Sequence, residues 1–194
     1  MVFAVPISVA QYAAFTASGI VFFYFLIRAF SRRTPESNAK RDHRSRVGII
    51  IQSVGIALAG FGPVKITLSS LGAAGLAGTA AVLLLMGGAI ALFAASSREL
   101  GRNWSLVARM RSDHELVRTG PYARVRHPIY LGMLLFLLAL AVALGHYVQL
   151  VIAIPLFLIG TAIRTRLEDA LLEQQFGETF RDYRRSTPAL IPKL

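Results

Sequence analysis

The 194-residue chain contains no cysteine, and only 16% of its residues are charged. Without cysteine it cannot form disulfide bonds, thiolate metal sites or thiol nucleophiles, and its redox compartment stays undetermined. The shortage of charge accompanies 55% hydrophobic residues, a composition that argues for a chain whose main solvent is lipid. We therefore predict an integral membrane protein, and no metal-ligand set is predicted in it.

The sequence also lacks a nucleic-acid-binding motif, although its formal net charge is +11. The positive charge is shared among segments that flank apolar stretches, so anionic membrane lipids are the expected counter-charge and nucleic acid is not an expected partner. No basic region precedes the first apolar stretch, which is also too long for a signal peptide. A cleaved leader is therefore not expected.

Four uncharged stretches are near or above the roughly 18–20 residues that cross a bilayer as a helix. The last stretch is much longer than one crossing, so it is predicted to fold back near Gly145, His146 and Tyr147 as a helical hairpin. In the third, glycines indicate a turn or close packing before a span over about 76–96. The stretches predict five spans in total, and they cover residues 1–27, 47–64, 66–97 and 128–163.

Charged residues concentrate in three segments, 28–46, 98–127 and 164–194. These segments hold all 10 acidic residues and every Lys and Arg except Lys65. The positive-inside rule therefore predicts that they are cytoplasmic, with the amino terminus outside and the carboxyl terminus inside. Within them, 28–46 is expected to lie on anionic lipid without a catalytic role, and 98–112 is predicted to form an amphipathic interfacial helix.

The segment GPYARVRHPIYLG, at 120–132, places basic and aromatic residues at the start of the last apolar stretch. Proline suits the first position of a helix, so the span is predicted to begin at Pro128. The helix start and the guanidinium of Arg126 would form a site for an anion, with Tyr130 on the first turn. The alternative is that Tyr122 and Tyr130 anchor the helix at the interface and His127 is solvated.

The second helix of the hairpin is predicted to continue out of the membrane to Gly177, which suits a helix C-cap. Arg164 and Glu168 stand four residues apart on this helix and share one face. They could form an intrahelical salt bridge, although the favoured order places Glu before the cation. A charge next to an apolar span is costly unless it snorkels or pairs, so we favour a functional role for Arg164.

The order HELV, GPYARVRHPIYLG, an apolar hairpin, RTRLEDALLEQQFGETFRDY and a terminal TPALIP resembles isoprenylcysteine carboxyl methyltransferases and related membrane phospholipid methyltransferases. The resemblance covers roughly residues 98–194, whereas the first half is similar only in being hydrophobic. The chain is accordingly divided into three amino-terminal spans, 1–97, and a catalytic region, 98–194. The fold expected is an all-α, polytopic helical bundle with a cytoplasmic cofactor pocket.

The resemblance implies an enzyme that uses S-adenosyl-L-methionine and releases S-adenosyl-L-homocysteine. It assigns Arg164 to the substrate and Glu168 to the cofactor, and these two are the candidate catalytic residues. Relatives carry consecutive glutamates where this chain has Glu168 and Asp169, so Asp169 receives no role. The implied cofactor residues are His114, Glu115, Leu116, Val117, Tyr122, His127, Pro128, Ile129, Tyr130 and Glu168.

The chemistry of the cofactor agrees with these residue types. Its carboxylate suits a helix amino terminus, its ammonium suits a carboxylate such as Glu168, and its adenine suits apolar and aromatic walls. No glycine-rich turn followed by a distant acidic residue is present in the sequence, which argues against a Rossmann-type methyltransferase.

The expected substrate is an isoprenyl carboxylate that enters from the bilayer. A carboxylate is already ionised at neutral pH, so its methylation needs orientation by Arg164 and no general base. A lipid amine is the alternative acceptor, and it would need a base such as His127 or Glu168. A third reading is a non-catalytic lipid-binding or scaffold protein. The sequence leaves the physiological substrate and the oligomeric state open.

Overall fold

The computed structural model describes residues 4–31, 40–41, 44–101, 109–110 and 115–192. Within these ranges most residues are helical, which confirms the predicted all-α bundle. A 3-10 turn over Gly120–Ala123 precedes the last hairpin. The helices are α1 (Val9–Ser31), α2 (Ser45–Gly60), α3 (Ala73–Leu100), α4 (Pro128–Leu144), α5 (Leu150–Phe176) and α6 (Glu178–Ser186).

The described part of the chain also contains four very short strands: β1 (Ile7–Ser8), β2 (Lys40–Arg41), β3 (Ile66–Leu68) and β4 (Arg109–Met110). β1 pairs in parallel with β3, and β2 pairs antiparallel with β4. The amphipathic helix predicted over 98–112 is therefore wrong at Arg109 and Met110, because their backbone groups pair with another connection instead of continuing a helix. Residues 102–108 and 111–112 lie outside the described residues.

Five of the helices are apolar, in the places where five spans are predicted. α1, α3 and α5 are long and apolar enough to cross a membrane, whereas α2 and α4 are shorter. At about 1.5 Å per residue, the 16 and 17 residues of α2 and α4 reach only about 24–26 Å. The chain is thus an integral membrane protein, and the count of five spans stays a prediction.

The helix limits follow local signals in the sequence. α4 begins at Pro128 and ends at Gly145, whose φ of +73° is open to glycine at little cost, so the predicted hairpin turn is confirmed. α5 runs unbroken to Phe176 and ends at Gly177, also as predicted. The first helix begins only at Val9, because Ile7 and Ser8 pair with β3.

α4 lies at the centre of the bundle. One apolar cluster joins α4 to α1 and α3 around Phe22, Met86 and Phe93. A second joins α4 to α2 and α5 around Leu137 and Phe157. The antiparallel hairpin α4–α5 therefore brings the first turn of α4 beside the carboxyl-terminal half of α5.

α2 packs against α5 through small residues. A Cβ atom added to Gly160 would lie 2.6 Å from the carbonyl oxygen of Gly48, and one added to Gly55 would lie 2.8 Å from that of Ala153. Such distances leave no room for a methyl group, so the two helix backbones approach as closely as glycine permits.

We expect Gly160→Ala to lower the free energy of unfolding by about 1–3 kcal/mol, the usual cost of overpacking a close-packed interface. Gly87→Ala is the matched control, because nothing lies within 4 Å of a Cβ atom added there. Thermal unfolding of the purified protein in detergent, followed by circular dichroism, measures both. Equal melting temperatures for the two variants would contradict the close packing of α2 on α5.

Candidate functional site

Charged and aromatic side chains gather where the start of α4 meets α5. His127 directly precedes α4 and Tyr130 lies on its first turn, and Glu168 and Asp169 come from α5. The segment before α4 adds Arg126. The predicted meeting of the RHPIY block with the face of Glu168 is thus present, and the alternative of interfacial anchors fails because Tyr130 is only 5% exposed.

His127 is buried and faces both carboxylates. Its Nε2 lies 2.9 Å from Oδ1 of Asp169, and its Nδ1 lies 3.4 Å from Oε2 of Glu168. Burial alone would lower the pKa of His127, but the hydrogen bonds to Asp169 and Glu168 outweigh burial and raise the pKa above its ordinary value. The ring therefore bridges two neighbouring residues of α5.

Glu168 is the more accessible of the two carboxylates. The hydroxyl of Tyr130 donates a hydrogen bond to its Oε1, and 26% of the Glu168 side chain is exposed, against 14% for Asp169. Burial, followed by the charge of Glu168, raises the pKa of Tyr122 well above its usual value. Tyr122 thus stays a neutral phenol close to a carboxylate.

Asp169 joins α5 to the segment before α4. Its Oδ2 lies 3.0 Å from Nη2 of Arg126, and Nη1 of Arg126 donates to the carbonyl oxygens of Arg184 and Thr187. The anion site expected at this helix start therefore receives a carboxylate of the protein itself. Asp169, which the sequence left without a role, is a structural partner of both Arg126 and His127.

The end of the chain closes over the segment before α4. The backbone N–H groups of Arg126 and His127 donate to the carbonyl oxygens of Pro188 and Ala189, at 2.9 Å each. The hydroxyl of Tyr183, on α6, donates to the carbonyl oxygen of Tyr122 at 2.6 Å. These hydrogen bonds fix the backbone of the segment that carries the aromatic residues of the site.

Arg164 is buried in the interior of the bundle and is only 4% exposed. Its Nη1 donates to Oε1 of Gln52, on α2, at 2.7 Å. Its Cζ lies 4.7 Å from the centroid of the Tyr130 ring, within the range of a cation–π interaction. The sequence reasoning paired Arg164 only with Glu168 and missed this partner on another helix. The sequence feature that could have indicated this contact was a lone glutamine in an uncharged stretch, because a polar side chain there needs a hydrogen-bond partner.

The other predicted cofactor residues lie around this cluster or outside the described part of the chain. Pro128 is buried and Ile129 half-buried at the start of α4. Glu115 is exposed, and Leu116 and Val117 are half-buried in an irregular connection. That connection is tied to α3 where Thr119 Oγ1 donates to Glu99 at 3.0 Å. His114 lies outside the described residues.

The raised pKa of His127 predicts a pH-dependent stability. A group whose pKa is higher in the folded state stabilises the fold fully below its unfolded pKa of about 6.5, and that stabilisation is lost as the pH rises through the folded pKa. The difference in melting temperature between the wild type and His127→Asn should therefore be largest below about pH 6.5 and shrink as the pH rises above that value. Thermal unfolding in detergent at several pH values measures it, and a difference independent of pH would contradict the assignment.

Comparison with known proteins assigns this chain to a family. The sequence profile of the phospholipid methyltransferase family matches residues 76–179, just over half of the chain. The match begins in α3 and contains all of α4 and α5, so it includes the whole cluster on those two helices.

Curated relatives match the same part of the chain. A protein-S-isoprenylcysteine O-methyltransferase of Schizosaccharomyces pombe is 34% identical over 96 residues, 48% of this chain and 41% of that protein. The nickel-cobalt-cadmium resistance protein NccN of Alcaligenes xylosoxydans xylosoxydans is 39% identical over 98 residues, 49% of this chain and 45% of that protein. A methanethiol S-methyltransferase of Pseudomonas deceptionensis is 36% identical over 74 residues, 38% of this chain and 27% of that protein.

The chain thus spans less than half the length of each of these relatives. Two of the three are named methyltransferases, and they differ in the atom that is methylated. The extent of the family match decides the assignment: this chain belongs to the phospholipid methyltransferase family.

Proposed function

We propose that this protein is an S-adenosylmethionine-dependent membrane methyltransferase that methylates the carboxylate of a prenylated cysteine or a similar lipophilic carboxylate. The observation that carries the proposal is the position of Arg164, a buried cation stacked on Tyr130 one helical turn from Glu168. The family of the chain and its O-methyltransferase relative support it.

The described residues fit the cofactor. When bound, S-adenosylmethionine supplies a methyl group carried on a positively charged sulfur. Glu168 offers a partly exposed carboxylate that suits the ammonium, and the rings of Tyr122 and Tyr130 offer aromatic walls. His127 and the hydroxyl of Tyr130 hold the Glu168 carboxylate in position, so its orientation is set before binding. We also assign His114, Glu115, Leu116 and Val117 to the cofactor.

Arg164 binds and orients the substrate carboxylate. A guanidinium matches the two oxygens of a carboxylate, and a water-poor interior strengthens their attraction. The carboxylate is ionised at neutral pH, so no residue of the protein has to remove a proton. The contribution of the protein is to exclude water and to hold the acceptor oxygen in line with the methyl group.

The substrate chain enters from lipid between helices, and the cofactor enters from the cytoplasm. The amino terminus then lies outside, with the carboxyl terminus and the active site inside. This orientation places the basic connections beside anionic lipids.

Methylation of a lipid amine is the second candidate, and the description of the family as phospholipid methyltransferases favours it. An ammonium has to lose a proton before it can be methylated, so this reaction needs a base. His127 is held by two carboxylates that raise its pKa, which keeps it protonated over more of the pH range. A buried arginine is also a poor neighbour for a cationic amine. The carboxylate is therefore the better acceptor for this site.

Arg164→Ala should lower methylation of an S-farnesylcysteine analogue by about a hundredfold or more, because a buried charge pair is worth several kcal/mol. Its affinity for S-adenosylhomocysteine should be nearly unchanged. Glu168→Ala should weaken S-adenosylhomocysteine binding about tenfold or more. Transfer of labelled methyl groups and calorimetry on the purified protein measure the two effects.

Arg166→Ala is the matched control, because Arg166 lies on the same helix but is exposed; both activity and binding should survive. Equal loss of S-adenosylhomocysteine binding in the Arg164 and Glu168 variants would refute the division of roles. Methyl transfer to phosphatidylethanolamine vesicles, without transfer to the farnesylcysteine analogue, would show that the acceptor is an amine and not a carboxylate. A failure of the wild type to bind S-adenosylhomocysteine at all would favour a non-catalytic membrane protein.

A further inference from the structure

Gln52 is a buried polar residue in the middle of an apolar helix. It is 1% exposed on α2, in the amino-terminal half of the chain, and it touches α5 at two points. Its Nε2 donates to Thr161 Oγ1 at 2.7 Å, and its Oε1 accepts from Arg164 Nη1 at 2.7 Å. A side-chain amide at such a depth is costly unless its hydrogen bonds are made, and here both ends are engaged.

The groups at the two ends of this series of hydrogen bonds determine which atom donates and which accepts in each bond. Arginine can only donate, and the carbonyl oxygen of Phe157, which accepts from Thr161 Oγ1 at 2.8 Å, can only accept. The Thr161 hydroxyl is thereby used as a donor, so its oxygen accepts from the Gln52 amide nitrogen. The Gln52 carbonyl must then point at Arg164, and the amide has one orientation.

α2 also makes room for the aliphatic part of Arg164. Gly48 stands one turn before Gln52, and a Cβ atom added there would lie 2.5 Å from Cγ of Arg164. The stem of the arginine therefore lies against a glycine and its guanidinium is held by an amide, both on the same face of α2. The guanidinium also contacts the Tyr130 ring, whose centroid lies 4.7 Å from Cζ of Arg164.

Gln52 differs from a carboxylate partner in one respect that matters for substrate binding. It is neutral, so it orients the guanidinium without cancelling its charge. A glutamate at this position would form an ion pair with Arg164 and would compete with any anionic substrate for it.

We propose that Gln52 is a positioning residue that holds the guanidinium of Arg164 for a carboxylate substrate while leaving its charge intact. The proposal rests on the proposed function, because it assigns Arg164 to an acidic acceptor. It also gives the amino-terminal half of the chain a part in substrate selection.

The test compares Gln52→Glu and Gln52→Leu with the wild type, using the full-length protein in detergent. Ser53→Ala is the matched control, because Ser53 is the exposed neighbour on α2. Three quantities are measured: the affinity for S-adenosylhomocysteine, kcat and KM for an S-farnesylcysteine analogue, and inhibition by its neutral primary amide.

In Gln52→Glu we expect KM for the carboxylate to rise about tenfold or more, the factor of a hydrogen bond to a charged group. Binding of the neutral amide and of S-adenosylhomocysteine should stay within about twofold of the wild type. Gln52→Leu should lower kcat/KM by a similar factor through loss of orientation. Ser53→Ala should change none of these values.

Several results would overturn the proposal. Unchanged kcat and KM in both Gln52 variants, with an active wild type, would refute it while leaving the proposed function standing. Parallel loss of S-adenosylhomocysteine binding and of transfer, or failure of both variants to fold, would make Gln52 a structural residue. Equal weakening of the carboxylate and the neutral amide in Gln52→Glu would show that charge is not what Gln52 preserves. A wild type that binds S-adenosylhomocysteine but methylates only amines would refute both proposals.

Discussion

The constraint on which the structure depends is the burial of charge at one end of an apolar bundle. Isolated charges cannot be withdrawn from water without large cost, so each must find partners of the right kind and geometry. Asp169 meets Arg126 and His127, Glu168 meets His127 and Tyr130, and Arg164 meets Gln52 and Tyr130. These contacts decide how α4, α5 and the end of the chain come together.

The same constraint explains why α2, from the amino-terminal half of the chain, contacts the cluster. α2 approaches α5 through Gly48, Gly55 and Gly160, and only this close approach lets the short amide of Gln52 reach Arg164. A helix with larger residues at these positions would stand farther away and leave the guanidinium without that acceptor. One contact between the two halves of the chain thus provides both the close helix packing and the hydrogen-bond acceptor for the guanidinium.

Much of the fold could be predicted because its signals are local. Pro128 begins a helix, and Gly145 and Gly177 end helices, because of the backbone preferences of these residues and their neighbours. The length of the last apolar stretch predicts the hairpin. The partners across helices could not be predicted. Gln52 and Arg164 are separated by more than a hundred positions, and no periodicity in the sequence specifies which faces of two helices meet. The pairing of Arg109 and Met110 with β2 is non-local in the same way.

Tyr130 connects the two parts of the proposed site. Its hydroxyl binds Glu168, whose side chain is 26% exposed, and its ring stacks on Arg164, which is almost completely buried. The Glu168 carboxylate is therefore partly open to the surface, whereas the Arg164 guanidinium lies between helices. A methyl donor and a lipophilic acceptor that approach from different sides would then meet at this ring. Both contacts are made by one side chain on the first turn of α4, so the position of that turn sets the spacing between the carboxylate and the guanidinium.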